Sequence, residues 1–399
     1  MKLYAQHGFG DGLKTAEGLR HNFIDGVIFS PRDIGLDRLR AAIGEAREAK
    51  RDADILFDPQ FYATFAAVDP QANIGKLAED YPYFQARRRS QLLSERRLRD
   101  DLGGALKLQI GLDVTAVIAP NVIIPRSFDS TESAIAMDFI SNTRIQFSEM
   151  NDRRPIYATL AVGRDALLDK EELVRFLTDL TTLEDRPDGF YVLIAVNSAD
   201  ARTEVCHADM ISGWLLLNYV LTVNGYHVVN GYSDVLSPFL GAVGGKAGAT
   251  GWWSNLRNFS LDRFAAPLGG GRQPVERYLS CGLLNRITYF ELEAIRRLHP
   301  RVLNGISTDE FYPEGSSQPN RAQEVLQSWE AIKRLNENLV SNDIISSLRQ
   351  CLDSLAAAQG LYIDISVGME FDAKSNAQHL EPLQEGIRLF ARLAELELP

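Results

Sequence analysis

The segment Ile55-Leu56-Phe57-Asp58-Pro59-Gln60-Phe61-Tyr62 is a short apolar run that ends on a carboxylate. Pro59 has no backbone N–H and cannot extend a strand ladder, so the strand stops at Asp58. In β/α proteins the C-terminal ends of strands face the ligand cleft. A carboxylate there is suited to general-base chemistry, or to accepting hydrogen bonds from the N–H edge of a ligand. It is equally suited to capping the helix that follows. The local pattern leaves both readings open.

A second group is Trp252, Trp253, Asn255 and Arg257 in the segment 251–258. Two indoles beside an amide and a guanidinium form a surface for a planar ring, by stacking and hydrogen bonding. The plainer reading packs one Trp in the core and uses the other to close a loop. A third group is Arg87, Arg88, Arg89, Arg96, Arg97 and Arg99, opposed only by Glu95. On a helix they would form a basic stripe for phosphate, nucleic acid or an acidic protein partner. Their plainer reading is a solvated helix face. The Gly-rich stretches 7–12 and 241–251 match neither a P-loop nor a dinucleotide fingerprint. There is no CxxC, HExxH or G-x-S-x-G. No metal and no cofactor is expected.

The elements that must hold these residues alternate. Strand-like runs at 26–30, 54–58, 115–124, 156–162, 189–196, 226–230 and 249–253 are separated by helical periodicity at 36–50, 170–183, 208–223 and 235–243. Residues 59–113 read as a helical insertion. This rhythm implies parallel strands with right-handed crossovers. The number of units predicts a (β/α)8 TIM barrel, with an open doubly wound sheet as the alternative. The barrel is expected over residues 1–275 and a mainly helical region over 276–399. Within that region 267–274 reads as a Gly-rich loop and 275–298, 321–340 and 344–359 as helices. Residues 361–367 read as a strand and 377–397 as a closing helix.

The chain has 399 residues, 45% of them hydrophobic, enough to bury a large core. Its net charge of -11 argues against nucleic-acid binding through the global field. Three scattered cysteines fit a reducing compartment. No signal peptide or bilayer-spanning run is read, so a cytoplasmic protein with no membrane attachment is expected.

Three motifs together resemble the tRNA-guanine transglycosylases. Ile55-Leu56-Phe57-Asp58-Pro59-Gln60-Phe61 is similar to that family's early strand motif, and Asp188-Gly189-Phe190-Tyr191-Val192 to its base-pocket strand. The run from Cys281 to Asn304 resembles its post-zinc helix. The resemblance implies a TIM barrel whose pocket for a 7-deazaguanine-type nucleobase uses Asp58, Asn121, the Gly189 backbone and Trp252 or Trp253. It also implies departures. Only Cys281 of the family's zinc ligands is present, and no carboxylate stands at the nucleophile position in 248–254. Asn121 and Ala161 replace polar pocket residues. Ordinary tRNA-guanine exchange is therefore not expected. The closest fit is a divergent branch of the kind found in bacterial anti-phage (CBASS-type) operons, working with a protein partner or with nucleic acid. Two other expectations stand beside it. One is an inactive barrel that serves as a protein-binding scaffold. The other is an unrelated TIM-barrel enzyme with Asp58 as its general base.

Overall fold

The computed structural model describes residues 1–10, 13–198, 206–266, 275–315 and 317–398. The predicted Gly-rich loop at 267–274, and Asp11 and Gly12 of the first Gly-rich stretch, lie outside these residues. Nine parallel strands form one sheet: β1 (Lys2–Gln6), β2 (Gly26–Phe29), β3 (Asp54–Phe57), β4 (Val117–Ala119), β5 (Ile123–Ile124), β6 (Ile156–Gly163), β7 (Gly189–Ala195), β8 (His227–Asn230) and β9 (Ala247–Thr250). Their order is β3-β2-β1-β9-β8-β7-β6-β4, and β5 pairs with β6 beyond β4. β4 and β5 are thus one stave, interrupted at Pro120 and Asn121, and the sheet has eight staves. Between β3 and β4 the Thr115 amide donates to the Ile55 carbonyl at 2.8 Å, and the Ile55 amide to Thr115 Oγ1 at 2.9 Å. The ring is nearly closed, and the fold is an α/β TIM-barrel type with helices outside and a helical C-terminal region.

Sequence period explains the layers. β7 is buried along its whole length, as a strand covered on both faces must be. The helix Leu36–Ala49 buries Leu39, Ala42, Ile43 and Ala46, one stripe at helical spacing. The helix Ala208–Val223 is apolar on nearly every side because it lies between the barrel and the closing helix Leu380–Leu393. Gly386 permits that approach: a Cβ there would stand 2.7 Å from Ile211 Cγ2. The insertion contributes the helices Lys76–Asp80, Arg89–Leu92 and Glu95–Ile110.

The helices Leu13–Arg20 and Thr131–Ser148 are not read from the sequence, and three further elements differ from the sequence reading. β1 has only five residues, two of them polar, and its strand character comes from pairing with β2 and β9. Residues 361–366 of the expected strand 361–367 belong to the helix Ile344–Ser366, with Val367 as its C-cap; its buried Leu348, Cys351, Leu355, Ala358, Leu361, Tyr362 and Ile365 follow a helical stripe through that segment. The expected helix at 275–298 is instead an antiparallel hairpin, β10 (Arg277–Ser280) and β11 (Asn285–Thr288), followed by the short helix Tyr289–Ile295. Among the described residues no helix is long and apolar enough to cross a membrane.

Backbone proximity in the ring gives the first prediction. A Cβ on Gly189 would lie 2.1 Å from the His227 carbonyl oxygen, so β7 and β8 require glycine there. Gly189→Ala should cost about 2 kcal/mol of stability by overpacking, read as a lower urea midpoint. An unchanged midpoint would contradict this strand spacing.

Candidate functional site

Asp58 follows β3 at the C-terminal mouth of the barrel, with its amide donating to the Phe29 carbonyl at 2.9 Å. Its side chain is fully buried. Oδ1 accepts the Gln60 amide at 3.0 Å, an Asx-turn that holds Gln60 in the left-handed region at φ 51. Oδ2 accepts the Tyr62 hydroxyl at 2.7 Å and the Tyr191 hydroxyl at 3.3 Å. Tyr191 also lies 3.3 Å from Gln6 Oε1, and Gln6 donates to Ser30 Oγ. Staves β1, β2, β3 and β7 therefore meet at one carboxyl group. Burial pushes that carboxyl up to about 6, against the opposing pull of Tyr62, the Gln60 amide, Arg263 and Tyr191. Burial also raises the Tyr62 and Tyr191 hydroxyls well above the usual phenol range, so both remain donors.

The short turn Leu261–Phe264, which follows β9, caps this group. The Arg263 side chain is 1% exposed; it donates to the Tyr232 hydroxyl at 2.7 Å and to Asp33 Oδ2 at 2.6 Å. Burial opposes its charge, but Tyr232, Asp33, Tyr62 and Asp58 outweigh that effect and its pKa is raised. Phe259 and Phe264 pack on Tyr62 with ring centroids 4.9 and 6.0 Å away. Arg263 Nε and Gln60 Nε2 have no hydrogen-bond partner among the described residues. Gln60 Oε1 accepts the Arg32 amide, and Arg32 pairs with Asp33. Both unpartnered donors therefore flank the same loop. On the other side of Asp33 opens a cleft of about 380 Å³, lined also by His7, Phe9, Ile34, Arg38 and Lys76. His7 is buried, and burial lowers its pKa to about 4, so the ring is neutral near pH 7.

The other residues singled out by sequence do not gather at Asp58. Asn121 donates to the Ala136 and Thr159 carbonyls and accepts the Val122 amide, which bridges the break between β4 and β5. Gly189 opens β7 at the opposite end of the strand from the mouth. Trp252 is buried against His7 and donates to the Phe9 carbonyl. Trp253 is 39% exposed under the Arg321 guanidinium. Asn255 lies on the short helix Ser254–Arg257. Arg257 donates to the Gly251 carbonyl and lies 3.6 Å from Glu324; burial, then Arg286, lowers its pKa to about 10.

The arginine stripe is divided among carboxylates. Arg87 pairs twice with buried Asp101, Arg89 with Glu132, Arg96 with Asp100 and Arg99 with Glu95. Arg88 and Arg97 are exposed. Among the described residues no cluster of His, Cys, Asp and Glu is arranged to hold a metal ion.

Sequence reasoning found Asp58 and missed Asp33, Tyr62, Tyr191, Tyr232 and Arg263 as its surroundings. Tyr191 had a signal: it stands two residues after Gly189 in a buried strand and shares its face. Arg263 had none, because its partners are 31 and 230 residues away.

The fold and site define a TIM-barrel-type α/β protein with a buried carboxyl at the strand mouth. No protein-family model matches the chain, and no curated protein matches it. Among solved structures it is similar to the crystal structure of dihydrodipicolinate synthase from Bacillus clausii. Identity is 12%, over 98% of this chain and 97% of that one, with a TM-score of 0.31. The transglycosylase resemblance is corrected: none of the comparisons supports that family. The local structure agrees with the correction. The run from Cys281 begins with the β10–β11 turn and strand β11 before the short helix Tyr289–Ile295, and the Cys281 thiol donates to the Ala331 carbonyl.

The Asp58 environment fixes a pH signature. Below its unfolded value of 3.8 the carboxyl is protonated in both states; between there and about 6 only the folded chain holds the proton. Stability contributed by this group is therefore present at low pH and lost as pH rises through about 6. Asp58→Asn lacks that loss. Its stability relative to the parent should rise by about 3 kcal/mol between pH 3.5 and pH 7.5, measured by urea unfolding at each pH. A difference independent of pH would remove Asp58 from a buried, titrating setting.

Proposed function

We propose that the protein is a barrel enzyme in which Asp58 exchanges a proton with a small, carbonyl-bearing substrate. The observation that carries this reading is the Asp58 carboxyl itself, fully buried at a strand mouth and held at about 6. A carboxyl in that range is both a competent base and a competent acid near neutral pH. In the forward step the carboxylate removes a proton from the carbon beside the substrate carbonyl. The released electron pair moves onto the carbonyl oxygen, giving an enolate, and the proton resides on Asp58. Arg263 Nε and Gln60 Nε2 are the unpartnered donors available to that oxygen. Tyr62 and Tyr191 orient the carboxyl and supply its hydrogen bonds. The substrate enters from the cleft beyond Asp33, which requires the Arg263 cap to swing aside. The nucleobase reading is not carried forward, because Asn121 spends its amide on the Ala136 and Thr159 carbonyls and Trp252 packs on His7 and donates to the Phe9 carbonyl.

One observation favours a second reading, a barrel kept as a protein-binding scaffold. Tyr62, Phe259, Arg263 and Phe264 close the mouth, and both Asp58 oxygens are already engaged. Proton exchange separates the two. Incubated in D2O with a panel of small aldehydes, ketones and 2-oxo acids, the protein should exchange the α-hydrogens of at least one, seen by proton NMR. Asp58→Asn should slow that exchange by roughly 100- to 10,000-fold, and the parent rate should show a limb near pH 6. Exchange that survives Asp58→Asn, or none across the panel, would sink the enzymatic reading.

A further inference from the structure

The turn after β8 holds two non-glycine residues in the left-handed region, Tyr232 at φ 53 and Asp234 at φ 42, on either side of Ser233. Such backbone is costly for residues with a Cβ and persists where surroundings hold it. Each of the two is held by a buried arginine. Tyr232 receives Arg263, the cap of the barrel site. Asp234 receives both terminal nitrogens of Arg286, at 2.5 and 2.8 Å. Arg286 lies on β11, in the C-terminal region, so its reach to Asp234 spans from that region into the barrel mouth. Thr250 of β9 donates to Asp234 as well, at 2.6 Å. The Arg286 and Arg257 charges outweigh burial and hold Asp234 below the usual carboxylate range, so the pair is ionic.

From Tyr232 two contacts run to Asp58. One is Arg263, whose charge is among those that lower the Asp58 pKa. The other is the ring contact Tyr232–Phe259 at 5.3 Å, continued by Phe259–Tyr62 at 4.9 Å to the phenol that donates to Asp58. We infer that Arg286 is a positioning residue for the barrel site: through Asp234 it fixes the β8 turn, and the turn fixes Tyr232 and the Arg263 cap. The C-terminal region is then part of the barrel's working apparatus. Its consequence for turnover rests on the proton-transfer reading of Asp58, whereas its structural consequence does not.

The test follows the Asp58 carboxyl by 13C NMR in the full chain, with the resonance assigned by its absence in Asp58→Asn. The groups facing that carboxyl are Tyr62, Tyr83, Tyr191, Tyr232 and Arg263. Arg286→Met should raise the Asp58 midpoint by half a pH unit or more, as the Arg263 cap loosens, and should shift the Arg263 Nε–H resonance. Arg286→Lys, which keeps the charge but not the two-pronged geometry, should fall between the two. If Arg286→Met does not fold, Asp234→Asn with Arg286 intact supplies the same comparison. An unchanged Asp58 midpoint in a folded variant would overturn the inference, because the Ser233 bonds to β9 would then suffice to hold the turn. A shifted midpoint in a protein that exchanges no substrate proton would leave the inference standing and remove the enzymatic reading alone.

Discussion

One carboxyl taken out of water at the end of β3 constrains everything around it. Ionising a buried carboxyl costs several kcal/mol unless hydrogen bonds or a cation offset it. Here the offset is partial by construction. Two phenols and one amide donate to Asp58, while the neighbouring cation, Arg263, gives its terminal nitrogens to Asp33 and Tyr232. Had Arg263 paired with Asp58 directly, the carboxyl would lie below its ordinary value rather than above it. Asp33 therefore does two things. It neutralises the buried guanidinium, and it leaves Asp58 free to gain and lose a proton near neutral pH.

The same arrangement explains why the C-terminal region is tied to the barrel by charge rather than by apolar packing alone. A buried Arg–carboxylate pair contributes little net stability compared with a well-packed apolar pair, but removing one partner is expensive. Such a pair therefore specifies a geometry more than it strengthens a fold. Two of them, Arg263 with Asp33 and Arg286 with Asp234, grip the β8 turn from opposite sides through Tyr232 and Asp234. A turn with two left-handed residues persists only where its surroundings hold it, and these two pairs, with the Ser233 and Thr250 bonds to β9, are those surroundings.

The barrel was legible in the sequence because its signals are local. Buried parallel strands are apolar runs, crossover helices carry a stripe, and the alternation of the two sets the topology. β1 escaped because a strand of five residues ending in Gln6 gains its identity from neighbours on both sides. The stretch 361–367 misled because β-branched Ile363, Ile365 and Val367 alternate with other residues. The helical stripe that overrules this begins further back, at Leu348. The site divides in the same way. Asp58 announces itself by its place before a proline, while its cap comes from residues more than 170 positions away and leaves no local mark.

That division also explains the motif resemblance and its failure. An aspartate followed by proline at a strand end answers a general requirement: the ladder must stop, and the turn needs an Asx acceptor, which the Gln60 amide uses. A glycine opening a barrel strand answers another, since the His227 carbonyl leaves no room for a Cβ at Gly189. Both belong to the geometry of closed parallel sheets and would recur in barrels of unrelated chemistry. What would distinguish one chemistry from another is the set of long-range partners at the carboxyl. In this chain those partners are phenols and a capped guanidinium, an arrangement suited to holding and moving a proton.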